Sequence, residues 1–169
     1  MKRFATWIVA PAVLAGMTLT ATGCEQPAAA KTTAPRAQPG PLGYTKVLEG
    51  VTDIEAAEAK VRAALKAQGF GIITRIDVQA VMKKKLQKDV RPYRILGACN
   101  PGYAHQAIEV DPQMGLLLPC KAIVYQRADG KIVASLMRPK LMFTLVSDSR
   151  LAGIAQQVDQ RFRAAFQAL

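Results

Sequence analysis

Apolar residues are spaced along this chain in two alternating rhythms. In TDIEAAEAKVRAALKAQGF (52–70), Ile54, Ala57, Val61, Ala64 and Leu65 recur at the helical period. Thr52 and Glu55 have the spacing of a capping box, and Gly69 is a natural stop. A short strand, YTKVLEG (44–50), precedes this helix, and FGIITRI, rich in β-branched residues, follows it as a second strand. Asp77 is placed to cap another helix, VQAVMKKKLQKD, with Val78, Val81, Met82 and Leu86 expected inward and Lys83, Lys84 and Lys85 outward.

Arg91-Pro92 breaks that helix, and YRILGAC is predicted as a third strand. Asn100 as N-cap and Pro101 at the first helical position open a third helix, NPGYAHQAIEV, on which His105 and Glu109 are four apart and share a face. DPQM reads as a loop. GLLLPCKAIVYQR reads as a long apolar strand in which Pro119 argues for an edge or a bulge. ADG turns the chain and KIVASLMRP returns as its hairpin partner. KLMFTLV fits strand, short helix or contact loop equally. From Ser149 to Leu169, Leu151, Ile154, Val158, Phe162, Ala165 and Leu169 fall on one face of a final helix. The order βαβαβαββα predicts one compact α+β domain over 44–169, with helices packed on a mixed sheet.

The first 43 residues follow different rules. MKRFATWIVAPAVLAGMTLTATGC opens with two positive charges, continues through an apolar run too short for a membrane span, and closes on small residues and a cysteine. Its end, ATGC, resembles a bacterial lipobox, with Ala21 where leucine is usual. This predicts a lipoprotein signal peptide over 1–23 and lipidation of Cys24, which would face the domain to the periplasm from a membrane anchor in the cell envelope. Residues 24–43 are rich in Pro, Ala and Thr and cannot bury a core, so they read as a flexible tether.

The net charge of +11 becomes +9 once Lys2 and Arg3 leave with the signal, with 21 basic and 12 acidic residues remaining. Such a balance favours anionic surfaces. A nucleic-acid partner is not expected, because the sequence interleaves no aromatic track with its basic residues. No phosphate loop, nucleophile elbow or carboxylate-ligand motif is present, and nothing names a cofactor.

Three phrases, ALKAQGFGIITRIDVQAVMKKKL, RPYRILGACNPGYAHQAI and DPQMGLLLPCKAIVY, closely resemble the bacterial and archaeal family called domain of unknown function 302. The matching positions are Gly69, Phe70, Asp77, Gly97, Cys99, Asn100, Pro101, Ala104, Leu117, Pro119 and Cys120. The resemblance runs from Tyr44 to Pro139 and loosely into the last helix. It implies a small α+β domain that forms homodimers, and no established activity.

The residues that could carry chemistry are Cys99, Asn100, His105 and Cys120. Cys99 closes a strand just before a helix N-terminus, where backbone N–H groups stabilise a thiolate. With His105 and Cys120 it could ligate copper or zinc, His105 steadied by Glu109, or act as a nucleophile. The spacing C-x5-H…C matches no standard zinc pattern. Two further readings stand beside these: small apolar filler, and a disulfide in an oxidising compartment. The sequence holds no complete catalytic set. A dimeric module binding a small ligand or partner near residues 97–105 is therefore the first expectation, and thiol- or metal-dependent chemistry the alternative.

Overall fold

The computed structural model describes residues 42–146 and 148–169. The predicted signal peptide, Cys24 and the predicted tether apart from Leu42 and Gly43 lie outside the described residues. Five strands form one sheet: β1 (Gly43–Val47), β2 (Gly71–Asp77), β3 (Tyr93–Cys99), β4 (Cys120–Gln126) and β5 (Ile132–Met137). The helices are α1 (Ile54–Ala67), α2 (Val78–Leu86), α3 (Pro101–Val110), α4 (Pro139–Phe143) and α5 (Arg150–Gln167). The sheet order is β1-β5-β4-β3-β2.

Every neighbouring pair is antiparallel, so the sheet is not mixed as the alternation of strands and helices suggested. A parallel crossover requires a helix that carries the chain back along a sheet face. α2 has no buried residue and does not do this. It sits in the β2–β3 connection, and β3 returns beside β2 in the opposite direction. The inward face expected for α2 is consequently absent, with Val81 and Leu86 exposed.

Strand alternation sorts the sheet into two faces. Leu96, Ala98, Ala122, Val124, Ala134 and Leu136 point to the core. They meet Ala57, Val61 and Leu65 of α1 and Leu151, Val158 and Phe162 of α5. The α5 stripe is buried as its periodicity requires, with Leu169 packed partly against it. α5 is also pinned to β1, where the Tyr44 hydroxyl donates to the Asp159 carboxylate at 3.0 Å.

The local signals held with small shifts. Asp53, not Thr52, caps α1, accepting from Ala56 N–H at 2.6 Å. Gly69 ends α1 at φ +81°, and the N–H groups of Gly69 and Phe70 return to the carbonyls of Lys66 and Leu65. Asp77 and Asn100 cap α2 and α3, accepting from Ala80 and Tyr103 N–H. DPQM opens a 3-10 helix, Pro112–Leu116, capped by Asp111. Pro119 precedes β4 and so interrupts nothing, and β4 is interior rather than an edge.

Candidate functional site

β3 ends at Cys99, and Asn100 turns the chain into α3. Asn100 works in both directions: Oδ1 caps Tyr103 N–H, and Nδ2 donates to the Gly69 carbonyl at 2.9 Å. The two chain turns that close this end of the domain are therefore locked together. Between β3, α3, the 3-10 helix, α4 and α5 lies an apolar cavity of about 20 Å³. Its walls include Cys99, Asn100, Cys120, Phe70, Tyr103 and Ala104, with Met114, Met142 and Phe143 closing it. That volume holds one water molecule. Met142 and Phe143 come from the five-residue α4, and unbranched methionines repack readily.

Cys99 and Cys120 are both free thiols. Cys120 faces Ala98 across the ladder, one residue out of register with Cys99, so the two are not a cross-strand pair. Burial pushes the Cys120 thiol up to about 11, with a further push from the nearby Cys99 thiol, against a weaker opposing pull from Lys121. Burial raises Cys99 as well. Any stabilisation from the start of α3 is outweighed, and neither thiol is a thiolate at neutral pH.

His105 is not a wall of the cavity. It is exposed on α3, apart from the buried Ala107 face. Among the described residues no group of three His, Cys, Asp or Glu side chains is gathered closely enough to hold a metal ion. The set Cys99, His105 and Cys120 is thus divided, with two members at the cavity and one in solvent.

A family model described as domain of unknown function DUF302 matches residues 44–169. The chain belongs to the DUF302 family. It is similar to an uncharacterised conserved DUF302 protein from Bacillus stearothermophilus, whose crystal structure superposes with a TM-score of 0.68 at 26% identity, over 75% of this chain and 97% of that one. No curated protein matches the chain. The DUF302 fold of these residues is thereby fixed independently of the sequence phrases that suggested it.

A second constellation escaped the sequence reading. Arg94, 6% exposed, lies on the core side of β3. Its guanidinium pairs with Asp77 at 2.9 Å, Glu55 at 3.1 Å and Glu58 at 3.8 Å. Arg75 and Arg62 complete a balanced cluster on Glu58, at 2.9 and 2.7 Å. Burial acts to raise the Glu58 carboxyl, but its hydrogen bonds from Arg75 and Arg62 outweigh that and hold it below the usual carboxylate range. Three guanidinium groups against three carboxylates leave no charge for a ligand, so the cluster braces α1 against β2 and β3. The signal was legible in YRILGAC, where alternation places Arg94 on the face of Leu96 and Ala98.

Proposed function

We propose that this protein is a lipid-anchored envelope module that binds a small apolar ligand in the cavity walled by Cys99, Cys120 and Tyr103. The carrying observation is the composition of that cavity: nearly all carbon and sulfur, with Asn100 among its few polar walls. Leu117, Met137 and Met142 separate it from an open groove of about 420 Å³ on the neighbouring surface, since all three line both. Rotation of Met142 joins the two and makes room for a ligand larger than water. The raised thiols fit a binding wall better than a nucleophile.

In this reading, Cys24 carries the acyl chains and residues 25–41 are the tether, Leu42 and Gly43 belonging to the domain. No described helix is long and apolar enough to cross a membrane. The module is a homodimer, as the family resemblance implies. Edge strand β2, with Ile73 and Ile76 exposed, is the surface a second copy covers.

The test uses residues 42–169, which contain the whole hydrophobic core. Titration with the apolar fluorophore N-phenyl-1-naphthylamine should give saturable enhancement. Ala104→Leu, which fills the cavity, should abolish it while leaving the far-ultraviolet spectrum intact. Equal binding by both would remove the cavity as the site.

A second reading rests on the sulfur content of the same walls. Cys99, Cys120, Met114 and Met142 offer soft donors suited to monovalent copper. It predicts stoichiometric Cu(I) uptake under a competing chelator, lost in Cys120→Ala.

A further inference from the structure

Leu116, Leu42 and Leu145 are the most exposed large apolar side chains among the described residues, at 84%, 73% and 71%. They come from three distant parts of the chain. Leu42 and Leu116 line the open groove beside the cavity, with Leu141, Ile123 and Met137. Leu145 follows Leu141 by one turn, its N–H donating to the Met142 carbonyl at 3.1 Å. Leucines this exposed stabilise little within the domain, and the pair that shares the groove, with Leu145 one turn beyond its wall residue Leu141, marks a surface made to be covered.

Two observations identify what covers it. The first is charge. The groove is lined by Lys121 and by no acidic residue, and the exposed Lys140 precedes Leu141 of its wall. An apolar centre with a cationic rim complements an anionic lipid surface, where leucines enter the acyl boundary and lysines reach the phosphates. A second copy would bring the same positive rim against itself. The second is position. The Leu42 carbonyl accepts from Arg138 N–H at 3.0 Å, so the first 41 residues join the domain at the groove itself. Read from its composition as a tether, the 19 residues from Cys24 to Leu42 have a typical span of about 25 Å.

We propose that this groove is a membrane-docking face: Leu42, Leu116 and Leu145 insert into the headgroup boundary of an anionic leaflet, and Lys121 and Lys140 bind its phosphates. The proposal rests on the lipid-anchored reading for its setting, but its test does not need the anchor. The domain sits with the groove toward the bilayer, and the Cys99–Cys120 cavity then lies behind Leu117, Met137 and Met142 on the lipid side, where an apolar ligand is most concentrated.

The experiment is flotation of residues 42–169 with vesicles of equal parts phosphatidylglycerol and phosphatidylethanolamine, and with pure phosphatidylcholine vesicles. The domain should float with the anionic vesicles. The double variant Leu116→Glu/Leu145→Glu should lose at least about tenfold in affinity, which is about 1.4 kcal/mol. Gln156→Glu/Gln160→Glu, the same two added charges on the exposed face of α5, should float as the wild type does. Unaltered thermal melting confirms that the exposed substitutions leave the fold intact. No flotation, or equal flotation of the double variant, overturns the proposal. So does a wild-type dimer that the double variant splits, because the face then belongs to a second copy. Loss of acylation at Cys24 with flotation preserved would overturn the anchor reading alone.

Discussion

Cys99 and Cys120 stand on neighbouring strands, one residue out of register, and wall one cavity as two free thiols. The offset prevents the cross-strand facing that a disulfide would exploit, and burial keeps both protonated. The pair is a soft, neutral wall rather than a redox couple.

Burial of Cys120 makes stability depend on pH on the alkaline side. The thiol ionises in the unfolded chain near its ordinary value and in the folded domain only at about 11. Its stabilising effect is therefore full below pH of about 8.5 and is lost as pH rises through the folded value. Urea unfolding between these limits should show a decline on the order of 2 kcal/mol, and Cys120→Ala should flatten that slope. An equal slope in both proteins would show that the thiol is not desolvated.

The Arg94 cluster acts on the acid side. The Glu58 carboxyl is held down in the folded state, so its contribution is present above the ordinary carboxylate value and is lost as pH falls through the lower, folded one. The urea midpoint should drop as pH is lowered below about 4.3, and less so in Glu58→Gln. Arg94→Ala leaves Glu58 and Asp77 without their shared partner and should cost about 3 kcal/mol at neutral pH.

Gly97 is required by space rather than by dihedral freedom. A Cβ there would overlap the Thr74 hydroxyl and lie 2.5 Å from Pro119 Cγ, on a ring that cannot rotate away. Gly97→Ala should destabilise the domain by about 1–3 kcal/mol, measured by thermal melting. A neutral result would mean that β2 and the Pro119 segment shift freely past β3.

The proposed anchor is open to a direct assay. Radiolabelled palmitate should enter the full chain in an expressing bacterium, and Cys24→Ser should abolish incorporation. Incorporation that survives the substitution would move the lipid to another residue.

Long elements with one dominant rhythm were legible in the sequence. α1, β3 and α5 follow directly from periodicity and caps, because their apolar faces are the core faces. α2 misled for the same reason: Val78, Val81, Met82 and Leu86 have helical spacing, but none of them is buried, with Val81 and Leu86 exposed. Strand direction was illegible, since a βα alternation does not say whether the helix crosses a sheet face. Cys99, Asn100 and Cys120 were found at the cavity because they flank strand ends that converge. His105 fell outside because one helix face was turned inward by Ala107 and the histidine sits off it. Met142 and Phe143 were missed, as KLMFTLV has no rhythm that distinguishes strand from short helix.

The measurement that tests the account most directly is the rate at which methyl methanethiosulfonate modifies Cys99 in a Cys120→Ala domain, with and without saturating N-phenyl-1-naphthylamine. A ligand in the cavity should slow modification by at least about tenfold, equivalent to about 1.4 kcal/mol of protection. An unchanged rate with the fluorophore bound would place the ligand elsewhere and contradict the binding function assigned to this cavity.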